Sequence, residues 1–172
     1  MARNVEIKAR IKSVKALLPK AAALADKGPI KILQDDTFFR CKSGRLKLRT
    51  FSKKEGELIF YRRARRRGPK ESFYLRCPTT TPETLRESLC LAYGQAGRVR
   101  KHRTLFLIGR TRVHLDTVEG LGHFLELEVV LREGEPAKAG VREAHRLMDK
   151  LGIRPSQLVE DAYVDLLPSR PR

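Results

Sequence analysis

The chain has 172 residues, with 37 Lys and Arg against 20 Asp and Glu, a formal charge of +17 that points to phosphate-bearing partners and a length that suits one domain with its own core. Three cysteines, Cys41, Cys77 and Cys90, have no close ligand spacing; they exclude a zinc site and read as reduced thiols of a cytoplasmic protein. No run is long enough for a membrane span and no signal-like segment precedes the first strand pattern, so no membrane partner is expected.

In chain order, a first strand ends near Lys12, and Ser13 caps a helix that runs through the alanine-rich stretch to Lys27, kinked at Pro19 and stopped by Gly28-Pro29. Residues 30–76 read as a meander of strands at Lys31–Gln34, Asp36–Lys42, Gly44–Thr50, Leu58–Arg63 and Glu71–Cys77. Asp35-Asp36, where the first of them gives way to the second, reads as a turn rather than a metal site. Thr81-Pro82 opens a second helix that Gly94 closes. Strands follow at Arg98–Ile108, Thr111–Thr117 and Phe124–Arg132. Residues 136–151 make an amphipathic helix ended by Gly152, and a last helix capped by Ser156 runs to about Leu167, leaving 168–172 as a disordered tail. The order predicts a single α+β domain over 1–167.

Four of these strands alternate hydrocarbon with charge: Val5–Ile11, Arg45–Arg49, Arg112–Asp116 and Phe124–Leu131. Such a pattern ordinarily means a half-buried strand with its charges in water. The signs, however, are sorted. Arg45, Lys47 and Arg49 are all basic, Glu126 and Glu128 both acidic, and like charges two residues apart on one face repel unless an opposite charge lies between them. Turned inward together, these faces would make a basic cavity for a polyphosphate and a metal ion.

The same residues carry a family resemblance. Asn4-Val5-Glu6-Ile7-Lys8, Gly44-Arg45-Leu46-Lys47-Leu48-Arg49, His114-Leu115-Asp116 and the run Glu119–Glu128 resemble the CYTH superfamily, the triphosphate tunnel metalloenzymes. Tyr163–Leu167 resembles the close of its class IV adenylyl cyclase-like branch, which is related to thiamine triphosphatases. The resemblance implies a closed antiparallel β-barrel of about eight strands with flanking helices, holding a triphosphate and Mg²⁺ or Mn²⁺. Residue by residue it implies Glu6, Asp116, Glu126 and Glu128 as metal ligands, and Lys8 and Asp116 as catalytic groups. It implies Lys8, Arg10, Arg45, Lys47, Arg49, Arg62, Lys101, Arg103 and Arg112 as substrate-binding residues, with Arg63 replacing Arg62 if that strand is shifted by one. Asn4 stands where the family signature has its first glutamate, which removes one charge from the metal side.

The chemistry fits these residue types. Arg and Lys neutralise a polyphosphate, and Mg²⁺ takes oxygen ligands and bridges phosphates. Attack by a ribose 3′-hydroxyl on the α-phosphorus of ATP gives cyclic AMP and pyrophosphate; attack by water on a terminal phosphorus makes a triphosphatase acting on ATP, tripolyphosphate or thiamine triphosphate. Homodimerisation is compatible with either. The charge and the run Arg62–Arg67 would also suit a non-catalytic RNA binder, but seven Phe, four Tyr and no Trp leave little to stack bases, so nucleic acid is not the expected partner. His102, His114, His123 and His145 show no catalytic pairing, and Tyr163 reads as packing for the last helix.

Overall fold

The N-terminal alternation forms β1 (Ala2–Arg10), and both of its faces are covered. Val5, Ile7 and Ala9 pack outward under helices, while Asn4, Glu6 and Lys8 line the interior of a barrel. The computed structural model describes residues 2–168. In chain order β1 is followed by α1 (Val14–Leu24), β2 (Lys27–Phe39), β3 (Arg45–Ser52), β4 (Glu55–Arg63), β5 (Lys70–Thr79), α2 (Pro82–Tyr93), β6 (Gln95–Ile108), β7 (Thr111–Val118), β8 (Gly122–Val130), α3 (Ala137–Leu151), a 3₁₀ turn (Pro155–Gln157) and α4 (Tyr163–Leu166). The eight strands pair antiparallel in the closed order β1-β5-β4-β3-β2-β6-β7-β8. Closure leaves no unpaired edge.

Most of the buried hydrocarbon therefore sits outside the barrel wall, although Ile32, Phe38, Phe51, Ile59, Val99 and Leu105 also line the lumen. Outward residues of β1, β7 and β8, among them Ile7, Leu115, Leu125 and Leu127, meet Ala21 of α1 and Ala144, Leu147, Met148 and Leu151 of α3. The α3 stripe begins at Gly140 and recurs at helical spacing. Each buried leucine is worth about 1.5–3 kcal/mol, whereas buried charges cost desolvation, so this outer layer carries the stability and the lumen draws on it. No described helix is long and apolar enough to cross a membrane.

Several predicted boundaries move. α1 ends at Leu24, not Lys27, although Ser13 caps it as expected, its Oγ accepting from the Ala16 N–H at 3.4 Å. Gly28-Pro29 does not stop a helix; it lies near the start of β2. Gly28 has φ +115°, and a Cβ there would stand 2.6 Å from the Leu105 carbonyl oxygen, so only glycine lets β2 approach β6 this closely. The two predicted strands at 31–42 are one, and Asp35-Asp36 lies mid-strand, paired with Thr50 and Arg49 of β3. The expected helix from Ser156 to Leu167 is instead the 3₁₀ turn, an extended stretch and one turn of α4. Its middle is claimed by β1: the Val159 N–H donates to the Lys8 carbonyl at 2.8 Å, and Leu158 bridges to Ala9. The predicted tail from 169 onward lies outside the described residues.

A Cβ on Gly140 would fall 2.8 Å from Val5 Cγ2 and 2.9 Å from Leu131 Cδ2, both in the packed outer layer. Gly140→Val should therefore cost about 1–3 kcal/mol by overpacking, read as a lowered denaturant midpoint with an unchanged m-value.

Candidate active site

The lumen is a cavity of about 280 Å³ among the described residues. Eight Lys and Arg side chains and five carboxylates line it, an excess of positive charge that only an anion can balance. The charges are segregated as the strand patterns suggested. Lys47 and Arg49 of β3 and Lys101 and Arg103 of β6 supply one wall; Glu6 of β1 and Glu126 and Glu128 of β8 supply another.

Asp36 holds the basic wall together. It is 1% exposed, accepts from Arg49 Nε and Nη2 and from Lys47 Nζ, each at 2.8 Å, and lies 3.5 Å from Lys101 Nζ. Burial alone would push its carboxyl up, but Arg49, Lys47 and Lys101 hold it well below the ordinary carboxylate range. The cations respond in the opposite sense. Burial pushes the Lys101 ammonium down to about 7, against the pull of Asp36 and with Arg103, Arg49 and Lys47 adding to it. Burial likewise takes Lys47 down to about 8.

On the acidic wall, Glu6 opposes Glu128 and Lys8 opposes Glu126 in the β1–β8 register. Burial raises the Glu6 carboxyl; Arg63, whose Nη1 donates to it at 2.7 Å, works against this, and Glu128 and Glu126 add to the rise. Lys8 Nζ stands 3.3 Å from Glu126 Oε1. His114 of β7, 5% exposed, faces Glu126 and Glu128, and burial pushes its imidazole down to about 4. Among the described residues, Nδ1 of His114 and Oδ1 of Asn4 are buried without a hydrogen-bond partner. Crowded carboxylates beside an unpartnered nitrogen and an unpartnered amide oxygen are the donor set of a divalent cation, so the residues present fit one.

Arg103 joins the two walls. It donates to both oxygens of Asp116 at 2.7 Å and to Glu126 Oε2 at 2.8 Å. Asp116, fully buried, also accepts from the Tyr163 hydroxyl at 2.8 Å. Tyr163 comes from α4, its ring 3.8 Å from Lys8 Nζ and edge-on to Phe124. The preceding segment is tied down by lysines: Lys8 Nζ donates to the Asp161 carbonyl at 3.2 Å, and the buried Lys70 to the Glu160 carbonyl at 2.7 Å.

The CYTH domain family matches residues 2–163. The chain belongs to the CYTH family. Members of that family are metal-dependent enzymes acting on triphosphates. No curated protein matches the chain. A Pyrococcus horikoshii protein has a TM-score of 0.84 at 22% identity, covering 96% of this chain and 99% of its own. A Vibrio parahaemolyticus protein described as a candidate adenylate cyclase has a TM-score of 0.70 at 18% identity, over 95% of this chain and 96% of that one. A Hippeastrum protein described as a candidate adenylyl cyclase with a dominant triphosphatase activity has a TM-score of 0.62 at 17% identity, over 89% of each chain. These likenesses show the closed barrel of the CYTH fold.

Of the residues singled out from the sequence, this CYTH barrel brings Glu6, Lys8, Lys47, Arg49, Lys101, Arg103, Arg112, Glu126 and Glu128 into one lumen. Arg112 donates from Nε to Glu128 Oε2 at 2.8 Å. Asp116 stands behind Arg103 rather than in the wall. Three others lie outside the lumen lining: Arg10 is exposed with its guanidinium 4.9 Å from the Phe124 ring, Arg45 pairs with Asp165 at 2.6 Å, and Arg62 donates to the Ser43 carbonyl at 2.6 Å. Arg63 occupies the inward position that Arg62 was expected to fill. Sequence reasoning passed over Asp36, His114, Lys70 and the Tyr163 hydroxyl. For His114 a signal existed, since it alternates with Val113 and Leu115 on the same face as Arg112.

Two outcomes follow from the basic wall. Asp36→Asn leaves buried cations uncompensated and should cost about 3–5 kcal/mol, and tripolyphosphate should raise the melting temperature of the variant by more than it raises the wild type's. Lys101 is charged below pH about 7 and neutral above it, so polyanion affinity should fall as pH rises through that value. Lys101→Arg should flatten this fall in a calorimetric titration, the ligand's own ionisation being common to both proteins.

Proposed function

We propose that the protein is a divalent-metal-dependent enzyme that cleaves a phosphorus–oxygen bond of a triphosphate held in the tunnel, with ATP cyclisation to cyclic AMP and pyrophosphate as its reaction. The observation that carries the reading is the segregation of the lumen into a cationic wall and a carboxylate wall, bridged by Arg103. RNA binding needs the first wall but not the second. Support for the cyclase reaction within the family comes from Tyr163–Leu167, which resembles the close of the class IV branch.

In this reading Lys47, Arg49, Lys101 and Arg103 neutralise the phosphate chain in a space that excludes most water, where charge-assisted contacts are strongest. Asp116 and Tyr163 position Arg103 by occupying its other N–H groups or the carboxylate that holds it. Lys8, held between Glu126 and the Tyr163 ring, is assigned to the reacting phosphate. Glu6, Glu126 and Glu128 would hold Mg²⁺ or Mn²⁺, which would supply positive charge to offset the negative charge developing on the leaving phosphate. The same walls serve hydrolysis if water, rather than a ribose hydroxyl, attacks. That second reading draws support from the likeness to the Hippeastrum protein and its dominant triphosphatase activity.

Incubation with ATP, tripolyphosphate and thiamine triphosphate, with and without Mg²⁺ or Mn²⁺, followed by product identification, tests it. Cyclic AMP with pyrophosphate is the expected outcome; orthophosphate release without cyclic AMP assigns the triphosphatase reaction, and no turnover of any of the three refutes the enzyme. Glu126→Gln and Glu128→Gln should each lower metal-dependent turnover by at least about tenfold, with the barrel intact by circular dichroism. Arg65→Ala, on the exposed loop after β4, should leave it unchanged.

A further inference from the structure

His114 occupies a place that neither hydrogen bonding nor hydrocarbon packing explains. The residue is 5% exposed, and Nδ1 has no partner among the described residues, a costly condition for a buried polar atom. That nitrogen lies 3.9 Å from Glu126 Oε2 and 3.9 Å from Glu128 Oε1, too far for a hydrogen bond to either. Yet the three groups converge, with one ligand atom from each lying within 4.8 Å of the others. Glu128 turns its second oxygen to Arg112, which fixes the carboxylate and leaves Oε1 toward the imidazole. His114 faces Glu126 directly across the β7–β8 pairing, so the arrangement is set by register and not by a loop.

We infer that His114 Nδ1 is a nitrogen ligand completing the Glu126–Glu128 metal centre, which makes the preferred cation a transition ion of the Mn²⁺ type rather than Mg²⁺. Mg²⁺ is a hard ion that takes oxygen; an imidazole in the set adds affinity for first-row transition ions and little for Mg²⁺. The inference rests on the metal centre proposed above and adds its third ligand and its selectivity.

Mn²⁺ alone, added to the full chain, tests this without reference to turnover. Pulsed electron paramagnetic resonance of the bound ion should show nitrogen coupling that changes on labelling with ¹⁵N-histidine. In His114→Gln the coupling should vanish, Mn²⁺ should bind about 10–100-fold more weakly, and Mg²⁺ should displace it more readily. Because the coupling is read in the wild type, the result does not depend on the variant folding. Failure of Mn²⁺ to bind, Mn²⁺ bound without histidine coupling, or an unchanged Mn²⁺ over Mg²⁺ preference in His114→Gln, overturns the inference. Glu126→Gln and Glu128→Gln in the same assay separate the two levels. If they weaken Mn²⁺ while histidine coupling is absent, the carboxylate centre stands and only the role of His114 falls; if they leave Mn²⁺ binding intact, the centre itself is misplaced.

Discussion

A water-excluded carboxylate shared by three cations is what allows a basic wall to exist inside a closed barrel. Without Asp36, Lys47, Arg49 and Lys101 would confront one another across the β2–β3 and β2–β6 pairings with nothing between them. Desolvating such charges costs several kcal/mol each, and hydrocarbon in the lumen would be the more stable filling. The protein keeps the charges and recovers stability on the other side of the same strands, where β1, β7 and β8 meet α1 and α3. Function and stability thus occupy opposite faces of one sheet.

Period-two patterning made much of this legible, because it assigns faces without saying which face is inside. For β3 and β8 the sorted signs pointed to the inward face, and Lys47, Arg49, Glu126 and Glu128 do line the lumen. The failures have the same root. Asp35-Asp36 looked like a turn because two adjacent acids in a strand are unfavourable on their own; what stabilises Asp36 arrives from β3 and β6, 11 and 65 residues away. Gly28-Pro29 looked like a helix stop because its real constraint, the Leu105 carbonyl, is a tertiary one. The segment after Ser156 has helical spacing, but its backbone groups are taken by Lys8 and Lys70 before a helix can use them. Arg62 and Arg63 differ by one register step, and only the β4–β5 pairing decides which points inward.

Asn4 and His114 together alter the carboxylate wall. An amide replaces one expected charge, and an imidazole stands beside the remaining acids. The wall thereby carries less negative charge while keeping its number of donor atoms. In a lumen already lined by an excess of cations, this leaves the net charge more positive than a glutamate at position 4 would.

The pairing of β1 with β8 has a kinetic consequence. Asn4 lies opposite Val130 and Lys8 opposite Glu126, contacts that close loops of more than a hundred residues. Loop closure on that scale precedes any reward from the contacts, and domains dominated by such pairings fold on the order of milliseconds to seconds. Until that seam forms, the acidic wall has no Glu6 beside Glu128. The acidic wall and the outer apolar layer therefore both depend on placing β1, the strand that comes first in the chain and pairs with β8, the last one.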